Sequence, residues 1–308
     1  MDRVRGCLLV SASAEALARA AAAEGAADAL RIPQEPPQAL RFGPATAQLL
    51  VIADHLTRRR GTVDEAELAA ELVAEWSRDR GRGYGPVSAE AFARIDAGVP
   101  WQVVAQQRHR AAGDDCDEPA ARVAPVGLVQ GVGLTAVAGR ARRTAAVTHA
   151  HPLAADAAAV IAVAVAIAAR TSQARSLCPD DVLAALAPHA RSAEFRSVLQ
   201  RLTVLVRRGA EPAEVAAAGN SDGPVVLPAV AVALAAFLNH PDDASEALRF
   251  AIAGVGGSMP CAAMAGALCG ALQGEQALAV QWGLRLSAAS RLLTTAGALS
   301  ALATQDFD

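Results

Sequence analysis

The stretch Gly256-Gly257-Ser258-Met259-Pro260-Cys261 opens a helix rich in small residues. A double glycine at a helix mouth lets a ligand or an ion come close to the backbone. Ser258 adds a neutral oxygen and Cys261 a thiol, but the four residues after the glycines carry no charge. Elsewhere, His149 and His151 stand in a His-x-His pattern. Two imidazoles can share a metal, yet no third ligand is near in sequence, so capping or packing where the following helix begins is the favoured reading. Asp114, Asp115, Asp117 and Glu118 cluster in one segment. Their spacing is not that of a calcium loop, and a solvated acidic loop is the expectation. Glu15 is a lone carboxylate on the first helix. If buried at a bundle end it would gain a raised pKa and act as an acid; an exposed position is the reading preferred. No Ser-His-Asp or Cys-His order can be defended. The glycines of "GVGLTAVAG" (131–139) lack the spacing and the preceding strand of a dinucleotide loop.

These groups must be positioned by helices. Apolar residues make up 53% of the 308, charged residues 19% and aromatics only 3%. The mean hydropathy of +0.26 comes largely from alanine. Ala and Leu favour helix, and strand-forming aromatics are scarce. Helical patterns are expected near 3–23, 44–60, 64–79, 87–97, 99–110, 152–170, 179–188, 191–208, 211–217, 225–239, 242–254, 259–273 and 277–302. Ser88 and Asp242 read as N-caps and Pro152 as a first helical residue. Loops are expected at 31–43, 78–86, 111–119 and 219–224, with 111–119 as a flexible insert. The segment 124–134 comes nearest to a strand, weakened by its glycines. Gly266, Gly270 and Gly274 stand four apart on one helix face, which favours close contact with another helix. The expected architecture is all-α, a compact multi-helix orthogonal bundle over 1–308 as a single domain.

The net charge of −3, with mixed signs, gives no footprint for nucleic acid. The longest uninterrupted apolar run, 157–169, is shorter than the roughly 20 residues of a membrane helix, so no membrane partner is expected. Five scattered cysteines without CxxC or zinc spacing read as free thiols in a reducing compartment, and a cytoplasmic location follows.

Six blocks, in order, resemble one family. They are "RVRGCLLVSASAEALARAAA" (3–22), "LRFGPATAQLLVIADHL" (40–56), "RGYGPVSAEAFARIDAGVPW" (82–101), "EPAARVAPVGL" (118–128), "AVTHAHPLAADAAAVIAVAVA" (146–166) and the region 225–274. Their order and spacing are similar to the ADP-ribosylglycohydrolases, all-α enzymes that remove ADP-ribose with the help of Mg²⁺. The resemblance implies two ions held by a T-D-D-T and a D-T-D-T motif. At these positions the present chain has Gly43, Pro44 and Ala45, with only Thr46 matching. In the second motif it has Ser258, Met259, Pro260 and Cys261. None of the four implied carboxylates is there. Glu15 takes the place of an aspartate in the first block, and Ala22 that of a glutamate. Tyr84, Arg122, Pro125, Thr148, His149, Pro152, Gly256 and Gly257 do match. Among them Tyr84, Arg122, His149, Gly256 and Gly257, together with Thr46, are the residues expected to line a ligand cleft.

Mg²⁺ is a hard cation that wants carboxylate oxygens, and Cys261 is a soft ligand. No metal and no cofactor are therefore expected. The expectation is a catalytically inactive homologue that binds an ADP-ribose-like or nucleotide ligand, or a protein partner. The alternatives are a metal-independent enzyme drawing on Glu15, Cys261 or His149, and a structural or oligomeric scaffold. A closed apolar gap between 43–46 and 258–261 would speak against ligand binding there, and an open polar cleft would speak for the enzyme.

Overall fold

The computed structural model describes residues 2–24, 40–109, 117–219, 225–277, 285–287 and 289–303. Most of the expected flexible insert, and with it Asp114 and Asp115, lies outside the described residues.

Two helices form the spine. α1 (Asp2–Glu24) and α15 (Met259–Gln273) pack along their lengths more closely than any other pair. Their sequences explain the approach, because small residues face each other across it. A Cβ built on Gly270 would lie 2.2 Å from the Gly6 oxygen, and one on Gly266 would lie 2.7 Å from the Val10 oxygen. Backbone meets backbone here, as the four-residue glycine spacing anticipates. α9 (Pro152–Arg170) is the third central element. It is apolar and, at 19 residues, long enough to cross a membrane by length and composition, but 78% of its apolar window is buried inside the protein. Its Ala/Val surface is covered by α6 (Glu118–Ala121), α7 (Ala124–Leu128), α8 (Leu134–Ala146), α13 (Val226–Asn239) and α15. At its far end the Arg3 guanidinium from α1 donates to the carbonyls of Ala168 and Ala169, both at 3.1 Å, and to those of Thr171 and Ser172. That cation satisfies carbonyls a helix terminus leaves open and complements its dipole.

Around this spine pack α2 (Pro44–Arg58), α3 (Glu65–Arg78), α4 (Pro86–Asp96), α5 (Trp101–His109), α10 (Pro179–Leu186), α11 (Ala193–Arg207), α12 (Pro212–Ala218), α14 (Ala244–Gly254) and α16 (Ala289–Ala303). Buried residues from α1 to α16 form one contiguous apolar cluster. No strand occurs among the described residues; one isolated parallel bridge joins Leu40 to Leu286. The weak strand signal at 124–134 is instead α7 followed by a turn. There Pro125 sits in the first helical turn, where its missing N–H costs nothing.

Two expected caps shift. α14 is capped by Asp243, not Asp242, through bonds from the Ser245 and Glu246 amides, both 3.0 Å. Ser88 lies inside α4, which starts at Pro86 after Gly85. Its hydroxyl is thereby released to reach Glu118 at 2.6 Å.

Candidate functional site

The stretches 43–46 and 258–260 meet at one end of the bundle. Between them lies a half-open pocket of about 250 Å³. Glu15 comes from α1, Pro44 and Ala45 from the start of α2, and Met259 and Pro260 from the start of α15. Gly83, Gly85, Pro86 and Val87 supply one wall, and Asp117 and Glu118 another. The gap is neither closed nor broadly polar: its walls are apolar, with three carboxylates set into them.

Glu15 is 1% exposed, which corrects its expected place on an outer helix face. Its carboxylate lies on the first turn of α2. Oε2 accepts from the Gly43 amide at 2.9 Å, the Thr46 amide at 3.0 Å and the Thr46 hydroxyl at 2.6 Å. Oε1 accepts from the Ala45 amide at 2.9 Å. Helix N-termini present free N–H groups and a positive dipole end, and a carboxylate satisfies both. Burial pushes the Glu15 carboxyl up from its ordinary range, against the pull of these four donors. Gly43 is coupled to this arrangement: a Cβ there would lie 2.5 Å from Glu15 Oε1. The Thr46 hydroxyl donates to Glu15 rather than reaching the pocket, and Thr46 is 1% exposed.

Asp117 and Glu118 correct the expectation of a solvated acidic loop. Asp117 is buried, with Ser258 Oγ at 3.4 Å. Burial, with the neighbouring Glu118 charge adding to it, pushes Asp117 up to about 6, while a backbone hydrogen bond and the Ser258 hydroxyl pull it down. Glu118 accepts from the Ser88 hydroxyl on one oxygen and from the Gln48 amide on the other. Gln48 in turn accepts from Arg122.

Arg122, expected in a cleft, is completely buried. It donates to the Thr144 carbonyl at 3.0 Å and the Thr148 hydroxyl at 2.7 Å, as well as to Gln48. It therefore stands behind Glu118, one residue removed from the pocket. His149 is also fully buried, its Nδ1 2.8 Å from the Thr148 hydroxyl. His151 caps α9, accepting from the Leu153 amide at 3.2 Å. Tyr84 packs edge-on against Phe92, ring centroids 5.9 Å apart, away from the pocket lining. Gly256 and Gly257 adopt φ of 61° and 79°, which glycine alone takes without strain, and neither lines the pocket. Their role is the turn that starts α15, where Ser258 accepts from the Cys261 amide at 3.3 Å. Cys261 is buried; burial pushes its thiol well up and the Asp117 charge adds to this, which makes it a poor nucleophile.

Among the described residues one further group has metal-ligand geometry, His55 with Glu67 and Glu71. His55 Nε2 accepts from the Asp64 amide at 3.1 Å, which leaves the proton on Nδ1, 3.0 Å from Glu71. A metal on Nδ1 would drive that proton onto Nε2, against the Asp64 N–H. Arg58 and Arg59 already bind Glu71 and Glu67. The group ties α2 to α3. A larger groove, about 900 Å³, lies elsewhere between α11 and α14, but none of the charged side chains lining it is buried. The smaller pocket is where the matched stretches and the buried carboxylates converge.

No curated protein matches the chain. A solved structure described as an "ADP-ribosylglycohydrolase-related protein complex" superposes with a TM-score of 0.67 at 22% identity, covering 98% of both chains. The family model for ADP-ribosylglycohydrolase matches residues 1–307. On that match, which runs almost the full length, the chain belongs to the ADP-ribosylglycohydrolase family.

Proposed function

We propose that this chain is a non-hydrolytic member of its family that works by binding and without a divalent metal. The observation that carries the reading is the Glu15 carboxylate, fixed by four donors on the first turn of α2. Mg²⁺ requires free oxygen ligands in near-octahedral array. Residues 43–46 offer amide N–H groups, which repel a cation, and a hydroxyl already donated to Glu15. Ser258 is engaged in capping, and Pro260 has no side-chain donor or acceptor. Both oxygens of Glu118 are bonded to protein donors. Glu15, Asp117 and Glu118 do not each bring an oxygen within 4.8 Å of one another, so they do not converge on one point as a shared Mg²⁺ requires.

The pocket has apolar walls and no basic side chain in its lining. Its volume of about 250 Å³ is below the ordinary range for drug-sized ligands. These features favour a small neutral or cationic ligand over an ADP-ribose-like diphosphate. Calorimetry with Mg²⁺ and Mn²⁺, and a hydrolysis assay on ADP-ribosyl-arginine, test the reading. Neither binding heat nor turnover is expected; robust metal-dependent hydrolysis would sink it.

A second reading, metal-independent cleavage of an N-glycoside, is favoured by one observation. Asp117 is a buried acid beside the pocket with a pKa near the range of a general acid. It requires turnover in the presence of chelator that Asp117→Asn abolishes.

A further inference from the structure

The first turn of α2 is built to hold a carboxylate, and the chain supplies one from within. Three backbone amides and one hydroxyl converge on Glu15, at 2.6 to 3.0 Å. The fit extends to the space around it. Gly43 has no side chain, and a Cβ at that position would lie 2.5 Å from Oε1 and 2.9 Å from the carboxyl carbon. Glu15 therefore fills a volume that a larger residue at 43 would claim. The same carboxylate lines the pocket, beside Pro44 and Ala45.

We propose that Glu15 is the specificity-determining residue of the pocket: as a built-in occupant of the α2 amides, it shuts out carboxylate and phosphate ligands. Helix N-termini bind anions through free N–H groups and the dipole. With these donors satisfied internally, an incoming anion finds no partner there. It meets instead the negative field of Glu15, Asp117 and Glu118, with no cation in the lining to offset them. Removing the Glu15 carboxyl should reverse the preference, leaving four unpaired donors around a space of carboxylate size. Gly43 keeps that space open. The inference rests on the metal-free reading of the pocket, but its test involves neither metal nor hydrolysis, so the two can fail separately.

The experiment compares the full-length protein with E15A and E15Q at neutral pH. Thermal unfolding is followed across a series of sodium acetate, with sodium chloride at matched ionic strength and acetamide as a neutral isostere. Inorganic phosphate forms a second series. Wild type should respond to acetate no more than to chloride. E15A should melt lower by about 5–10 °C in chloride, given the few degrees per kcal/mol typical of this chain length. It should recover a saturable part of that loss in acetate and none in acetamide, as ligand linkage requires. E15Q retains one carbonyl acceptor and occupies the space, so it should show no acetate response. If E15A does not fold in chloride, return of a cooperative melt in acetate supports the proposal, and failure to return overturns it. A folded E15A indifferent to acetate also overturns it, as does wild-type binding of acetate or phosphate that E15Q leaves unchanged.

Discussion

Gly270 is the sharpest test of the α1–α15 spine. A Cβ at this position would lie 2.2 Å from the Gly6 oxygen, 2.5 Å from the Gly6 carbonyl carbon and 2.8 Å from the Cys7 nitrogen. All three are backbone atoms, so no side-chain rotation relieves the clash. Ordinary contact begins at 3.4 Å, and the helices must part by about 1 Å to reach it. A gap of that size forfeits roughly a quarter to a half of the dispersion energy along the seam. Overpacking of this kind costs about 1–3 kcal/mol, and a backbone collision belongs at the upper end or beyond. Alanine's better helix propensity returns about 1 kcal/mol. Gly270→Ala should therefore destabilise by about 2 kcal/mol net. Gly139→Ala in α8 is the matched control, because a Cβ there meets nothing within 4 Å. It should stabilise by about 0.5–1 kcal/mol. Urea denaturation followed by circular dichroism reads both, with unchanged m-values identifying a native-state effect. If Gly270→Ala is as stable as wild type, or if the two variants shift alike, the packing argument is refuted.

Two further perturbations follow from the site. Asp117 has a folded pKa of about 6, above its ordinary value, so its contribution to stability is complete below about pH 4 and is lost as pH rises through 6. Asp117→Asn should thus match wild type near pH 4 and exceed it by about 2–3 kcal/mol at pH 8, a difference denaturation at the two pH values would reveal; a gain independent of pH would contradict the burial argument. Arg122→Met removes a buried cation that serves Gln48, Thr144 and Thr148, and leaves their acceptors dry. Each acceptor left unpaired costs about 1–3 kcal/mol, so a loss of at least about 3 kcal/mol is expected in the same assay, and a loss below about 1 kcal/mol would mean that water or another donor takes its place.

Helix chemistry made most of the architecture readable. Pro44, Pro152, Pro179 and Pro212 each stand in a first turn, and the α15 boundaries of 259 and 273 agree with the structure. The glycine spacing in α15 announced close approach, though not that α1 would be the partner. The site was less readable, for specific reasons. Glu15 reads as exposed on an N-terminal helix, as a charged side chain ordinarily is. α1 is instead buried on every side from Val10 to Ala18, and Glu15 is the one charged residue between Arg5 and Arg19. That isolation is the signal that could have placed it inside. Asp117 and Glu118 read with Asp114 and Asp115 as a single acidic loop. Pro119 and the alanines after it mark the start of a short helix, and that start separates the two pairs. Of the matching residues expected in a cleft, Arg122 and His149 are fully buried and Tyr84 packs on Phe92, and none of the three lines the pocket.

The spine also constrains how the chain reaches its native state. α1 and α15 are separated by most of the sequence, yet neither can bury its small-residue face without the other. The loop that must close to join them is very long, and contacts of such separation slow folding. Until that closure α1 exposes Val10, Ala14 and Leu17, and the Arg3 clamp on α9 has no fixed origin. α16, which follows α15, also packs against α1, so two C-terminal helices depend on the same long-range closure. A cut in the chain between α1 and α15 would therefore leave two fragments that each carry one half of the same small-residue seam.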